Sequence, residues 1–217
     1  MCPGGYVVAA ASEGGSVVTH GMSYSGRAGE NANAAVLVTL TPADFPGAGV
    51  LSGMYWQREI ERRAFAYGGG NYFAPAQTVG DFLACRGSTG PAGIEPTYRP
   101  GVVWGDLREV LPERITGALA AVIPQLARKL RGFDAPGAVL TAPETRSSCP
   151  VRILRGDDLR SLWGGFFPCG EGAGYAGGIT SAAVDGMKCA EAILRQYQYE
   201  GCSHLSKFYG LPSPGLE

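Results

Sequence analysis

Near the end of the chain, residues 164–186 read GGFFPCGEGAGYAGGITSAAVDG. Gly172, Gly174 and Gly177 have the G-x-G-x-x-G spacing of a dinucleotide-binding turn, and a helix-like stretch follows them. A strand, a glycine-rich turn and a helix together make an anion site, because helix N-terminal amides point outward and the macrodipole adds partial positive charge. Glycines also let a flat ring or a pyrophosphate approach the backbone. The stretch supports two readings. In one, the Glu171 carboxylate accepts a hydrogen bond from a ribityl hydroxyl of a flavin. The amides of Gly177, Gly178 and Ile179 then face the pyrimidine edge of the ring, where the dipole favours the anionic reduced form. In the other, the cluster is a tight strand-to-helix connection and Glu171 is solvated. A bulky side chain in place of Gly174 is expected to block a cofactor while sparing secondary structure.

The motif as an opening β-α-β fingerprint fails on context. That fingerprint needs a second strand after the helix, with an acidic residue about 20 positions on. After Tyr197 the chain reads QYEGCSHLSKFYGLPSPGLE, with no convincing strand. A Walker A loop is excluded because no Gly-Lys-Ser or Gly-Lys-Thr follows the glycines. A net charge of −1 gives no footprint for nucleic acid. Cys2, Cys85, Cys149, Cys169, Cys189 and Cys202 form no C-x-x-C pair, and only His20 and His204 could add imidazole, so no metal site is expected. No apolar run is long enough to cross a membrane and no signal peptide is visible, so a cytoplasmic protein with reduced thiols is expected.

Several elements must position the cluster. Residues 5–11 and 15–20 read as a hairpin around Glu13, Gly14 and Gly15, and residues 35–41 as a further strand. Residues 54–67 suit a helix with Trp56, Ile60, Ala64 and Tyr67 on one face, stopped by Gly68, Gly69 and Gly70. A short helix is expected over 78–84. A long one is expected over 112–131, with Pro112 at its first position, Pro124 kinking it and Gly132 capping it. Ile115, Leu119, Val122, Leu126 and Leu130 form its apolar stripe. Two short strands are expected within 137–155, a strand over 165–169, and a helix over 180–197 with an apolar face of Ala183, Met187, Ala190 and Leu194. Glycine, at 34 of 217 residues, follows no period, which excludes collagen-like sequence and implies many tight turns.

The run FFPCGEGAGYAGGITSAAVDGMKCAEAIL resembles the closing FAD motif of a bacterial family of uncharacterised FAD-dependent dehydrogenases. VVTHGMSYSGRAGENANAAVLV, GGGNYFAPAQTVGDFL and ETRSSCPVRILR resemble further blocks of that family in the same order, so the likeness spans roughly residues 1–197. The resemblance implies an α+β chain. Residues 1–144 would be a mixed-sheet substrate or cap domain inserted into the FAD domain, residues 145–200 the returning strand-helix segment of a Rossmann-like FAD-binding domain, and 201–217 a tail. The β-α-β unit that grips the ADP half would precede residue 1, and the strand-like start at MCPGGYVVAA fits a cut inside a longer chain.

By position, the resemblance implies FAD contacts at Gly170, Glu171, Gly172, Gly174, Tyr175, Ala176, Gly177, Gly178 and Ile179. It implies FAD as cofactor, an unknown small-molecule substrate, and a separate N-terminal FAD-domain chain as a candidate partner. It assigns no catalytic residue. Arg27, Asn31, Asn33, Asn71, Tyr72 and Gln77 lie in polar loops that either face a flavin or satisfy local turns. Arg146 either holds an anionic substrate or forms a salt bridge. Cys169 abuts the site, with no second cysteine paired to it by sequence. The competing expectation is a non-enzymatic module that packs on a partner chain or binds a nucleotide weakly.

Overall fold

A computed structural model describes the backbone of residues 2–209 and the side chains of residues 3–196. The chain divides after Ser147 into two compact units.

The first unit mixes helices with three small sheets. β1 (Cys2–Pro3) pairs antiparallel with β4 (Ala32–Asn33), and β2 (Gly5–Ala9) pairs antiparallel with β3 (Thr19–Ser23) in the register Gly5↔Ser23 to Ala9↔Thr19. The expected hairpin therefore forms, but with a long loop rather than a tight turn at Glu13 to Gly15, and its second strand starts later. α1 (Ser52–Tyr67) buries Ile60 and Ala64 as its spacing predicts. It ends where Gly68 N–H reaches the Ala64 carbonyl and Gly69 adopts φ +80°, a left-handed turn that favours glycine.

The centre of the unit is β5 (Ala74–Thr78), flanked by β6 (Val102–Trp104) in parallel and β7 (Val139–Thr141) antiparallel. Sequence pattern misses both β5 and β6. β5 reads Ala-Pro-Ala-Gln-Thr and is buried on both faces, so it shows neither alternation nor β-branched enrichment. Proline is tolerated in this middle strand because of the stagger of its neighbours. β7 pairs only with residues 76–78, while the Pro75 carbonyl still accepts from Ala142 N–H. Gln77, fully buried, donates to the Arg86 carbonyl at 2.7 Å and accepts from Leu107 N–H at 3.0 Å, fastening two loops to the strand.

α2 (Val79–Leu83) starts at Thr78, whose hydroxyl accepts from Asp81 N–H. α3 (Glu113–Ala127) is preceded by Pro112 as its cap rather than containing it, and it ends earlier than the apolar pattern implies. Its buried stripe is Thr116, Leu119 and Ile123, so Leu130, beyond the helix, stays exposed. One core cluster joins Ile60, Phe82, Leu107, Leu119 and Ile123; a second joins Val17, Ala64, Ala74, Tyr98 and Val110.

Residues 35–41 are not a strand. Val36 and Val38 pack against the first core cluster while Leu37 between them is exposed, so the alternation is realised without a ladder partner. Apolar alternation dictates which side faces the core, and the hydrogen-bonding neighbour is a separate requirement.

In the second unit the expected strand over 165–169 is also absent, and strand-like pairing is confined to a bridge between Arg155 and Ser161 among the described residues. Gly164 and Gly165 take φ +66° and +61°, and Pro168 has no N–H to contribute, so the segment cannot extend a ladder. α4 (Ile179–Tyr209) is longer than the sequence pattern suggests. The face expected to be buried is outward: Met187 and Leu194 are exposed, whereas Asp185 and Cys189 point inward. No helix among the described residues is long and apolar enough to cross a membrane.

Candidate functional site

Apart from Arg27, the polar residues singled out in the first unit make structural contacts. Asn33 donates to the carbonyls of Tyr6 and Met22, and Asn31 to that of Glu95. Asn71 accepts from Phe73 N–H, and Tyr72 packs edge-on against Phe65 while its carbonyl accepts from Tyr98. Gln77 is committed as described above. Arg27 is exposed, with φ +48°.

Arg146 makes a salt bridge rather than offering a free cation. Its Nε and Nη2 clasp the two carboxylate oxygens of Glu61 at 2.6 and 2.8 Å, and Nη2 lies 3.4 Å from Glu13. Hydrogen bonding to Glu61 holds the guanidinium firmly protonated, raising its pKa well above the ordinary arginine value against the effect of burial.

In the second unit, residues 170–174 close a turn in which Gly174 N–H donates to the Glu171 carbonyl and Tyr175 N–H to the Gly170 carbonyl. Gly170 and Gly174 sit at φ +72° and +82°. At Gly174 an added Cβ would lie 2.5 Å from the Val151 carbonyl oxygen and 2.9 Å from Arg152 Cα. The turn is therefore built on residues 151–153: Ile153 N–H donates to the Ala173 carbonyl, Arg152 Nε to that of Gly174, and the Tyr175 hydroxyl to that of Ile153. The expectation that Gly174 can be enlarged without structural damage does not survive this geometry.

A charge pair that the sequence analysis did not single out anchors the turn. Arg155 clasps Asp185 at 2.7 and 3.1 Å, donates to the Pro168 carbonyl at 2.7 Å, and stacks 3.7 Å from the Tyr175 ring centroid. Asp185 in turn accepts from Gly170 N–H at 2.9 Å. Both side chains are largely buried, at 10% and 14% exposed. The available signal was the acidic residue within the apolar stretch of α4, which burial next to the turn makes costly unless paired.

Hydrogen bonding to Arg155, then to the Gly170 amide, holds the Asp185 carboxyl below its ordinary value of 3.8. A carboxyl depressed in the folded state contributes stability that is fully present above its unfolded pKa and is lost as pH falls through the folded one. Hydrogen exchange at the Gly170 amide is therefore expected to accelerate as pH drops below about 4, after correction for intrinsic exchange. Asp185→Asn should flatten that acid-dependent increase; an unchanged profile in the variant would show that another group anchors the turn.

Six of the nine residues remain available on the outer side of this scaffold. Glu171, Gly172, Gly177, Gly178 and Ile179 are exposed, and an added Cβ at Gly172 would meet nothing within 4 Å. Ala176 joins Tyr175, Thr180, Ser181, Val184, Lys188 and the Arg155–Asp185 pair around an open cleft of about 500 Å3 beside the start of α4. Ser181 caps that start, its hydroxyl hydrogen-bonded to both N–H and carbonyl of Gly178. Gly170, Gly174 and Tyr175 build the turn. Open backbone, a helix N-terminus and one lysine fit an anionic, flat-ringed group, and no cluster among the described residues suits a metal ion.

Residues 1–147 match the model of a family described as "FAD-dependent protein, C-terminal domain-like". An uncharacterized protein of Clostridium beijerinckii is 50% identical over 198 residues, 91% of this chain, and the chain spans 37% of that relative's length. An aligned stretch of that length cannot miss residues 170–179, which lie outside the family match itself.

Proposed function

Because residues 1–147 make this chain a member of the FAD-dependent protein C-terminal domain-like family, we propose that it is the C-terminal part of an FAD-dependent oxidoreductase. In this reading the first unit is the substrate or cap domain. The second carries the flavin-side contacts of a Rossmann-like FAD domain, with Glu171, Gly172, Ala176, Gly177, Gly178 and Ile179 facing the cofactor. Gly170, Gly174 and Tyr175 shape the loop that presents them. The observation that carries the reading is the open face of Gly172 on a turn otherwise locked from behind.

Bound FAD would supply hydride chemistry. The chain's own contribution is position and field: the α4 N-terminus favours negative charge beside the turn, and Lys188 adds positive charge at a cleft whose other charges, Arg155 and Asp185, are paired with each other. The grip on the ADP half would come from sequence such as the remaining length of the Clostridium relative, which this chain does not cover.

The test is to co-express this chain with the remainder of that relative and purify the pair. A yellow complex that keeps stoichiometric FAD through gel filtration, and is bleached by a reductant, is the expected result. A stable, folded pair devoid of flavin would overturn the proposal and favour a non-enzymatic packing module instead.

A further inference from the structure

The sequence pairs Cys169 with no other cysteine, but the fold does. Asp185 holds Gly170, the residue after Cys169, and Cys189 lies one helical turn beyond Asp185 on the same face of α4. Cys189 Sγ sits 4.0 Å from the carbonyl oxygen of Pro168, the residue before Cys169, so the segment carrying Cys169 lies along the Cys189 face of α4. Cys169 is exposed, whereas Cys189 is 3% exposed. Arg155 Nη1 lies 3.5 Å from Cys189 Sγ.

We propose that Cys169 and Cys189 form a redox-active dithiol, with exposed Cys169 attacking low-molecular-weight disulfides and buried Cys189 resolving the adduct. The Cys169 thiolate attacks one sulfur of the reagent, breaking its S–S bond and expelling one thiolate. Cys189 then loses its proton to solvent base and attacks Cys169 Sγ. A second reagent thiolate leaves and the intramolecular disulfide remains. Two electrons pass from the two protein thiols to the reagent, which ends as two thiols.

The division of labour follows from accessibility. A disulfide in solution reaches Cys169 and not Cys189, while Cys189 lies against the carbonyl of the residue that precedes Cys169. Burial pushes the Cys189 thiol up, and the Arg155 guanidinium opposes that shift. The resolving step should therefore speed up about tenfold per pH unit until Cys189 is ionised. The product would covalently tie the start of the glycine turn to α4, where the Asp185–Gly170 hydrogen bond already holds it. None of this depends on flavin.

The experiment treats the full chain, under native conditions, with oxidised glutathione, then quenches in acid, alkylates the remaining thiols and maps peptides by mass spectrometry. The expected product is a Cys169–Cys189 cross-linked peptide, lighter than the dithiol by two hydrogens. Cys189→Ser should stop at a glutathione adduct on Cys169, and Cys169→Ser should leave Cys189 reduced. Oxidised wild type should also show at least tenfold slower hydrogen exchange at the Gly170 amide. A wild-type protein that accumulates the Cys169 adduct with Cys189 alkylated would overturn the proposal. So would a cross-link joining Cys169 to Cys149.

Discussion

Replacing Arg146 by alanine should destabilise the first unit by about 3 kcal/mol, a large fraction of the stability a domain has to lose. The reason is the carboxylate left behind. Glu61 is fully buried in α1, and its two oxygens are satisfied by Arg146 Nε and Nη2 and by the Thr145 hydroxyl at 2.6 Å. Truncation removes both charge-assisted bonds and keeps the desolvation. The same arginine approaches Glu13, which Arg58 also holds at 2.8 Å. The network thus ties the loop after β2, helix α1 and the end of the first unit together, and Gln57 adds a bond to the Thr145 carbonyl.

Thermal denaturation of Arg146→Ala measures the loss directly, and a double replacement of Glu61 and Arg146 by leucine should recover much of it, because no buried charge is then unpaired. A variant as stable as wild type would release Arg146 from its structural role and restore it as a candidate for holding an anionic substrate.

What was legible in the sequence divides along physical lines. α1 was visible because its face repeats at helical spacing and three glycines follow it. α2, expected over 78–84, forms over Val79–Leu83. β5 was invisible because a strand buried on both sides, made of Ala, Pro, Gln and Thr, has no period to detect. Val36 and Val38 show the converse: a strand-like alternation with a core on one side and no strand to pair with. The misplaced face of α4 has a simpler cause. Apolar spacing ranked Met187 and Leu194 above Asp185, yet a carboxylate supplied with Arg155 and a backbone amide is the residue that turns inward. The glycine turn was legible as a turn. Which glycines build it and which leave space in front of it was not, since both kinds are the same letter.

That distinction decides the second large effect. Gly172→Val should reduce FAD retention by the co-purified pair at least tenfold while leaving its thermal stability within about 0.5 kcal/mol of wild type, as for a surface substitution. A Cβ at Gly172 would meet nothing within 4 Å, so the valine side chain starts into open space on the outer side of the turn, where the proposed cofactor would lie. Gly174→Val should also abolish retention, but by a different route. A β-branched residue at φ +82° costs on the order of 1–3 kcal/mol in strain. Its Cβ would press on the Val151 carbonyl as well, so the turn would leave residues 151–153 and the second unit would lose stability with its flavin. Loss of flavin with stability intact, at Gly172 alone, separates a binding surface from a folding requirement. If Gly172→Val keeps its FAD as firmly as wild type, the open face of the turn is not where the flavin sits, whatever Gly174→Val does.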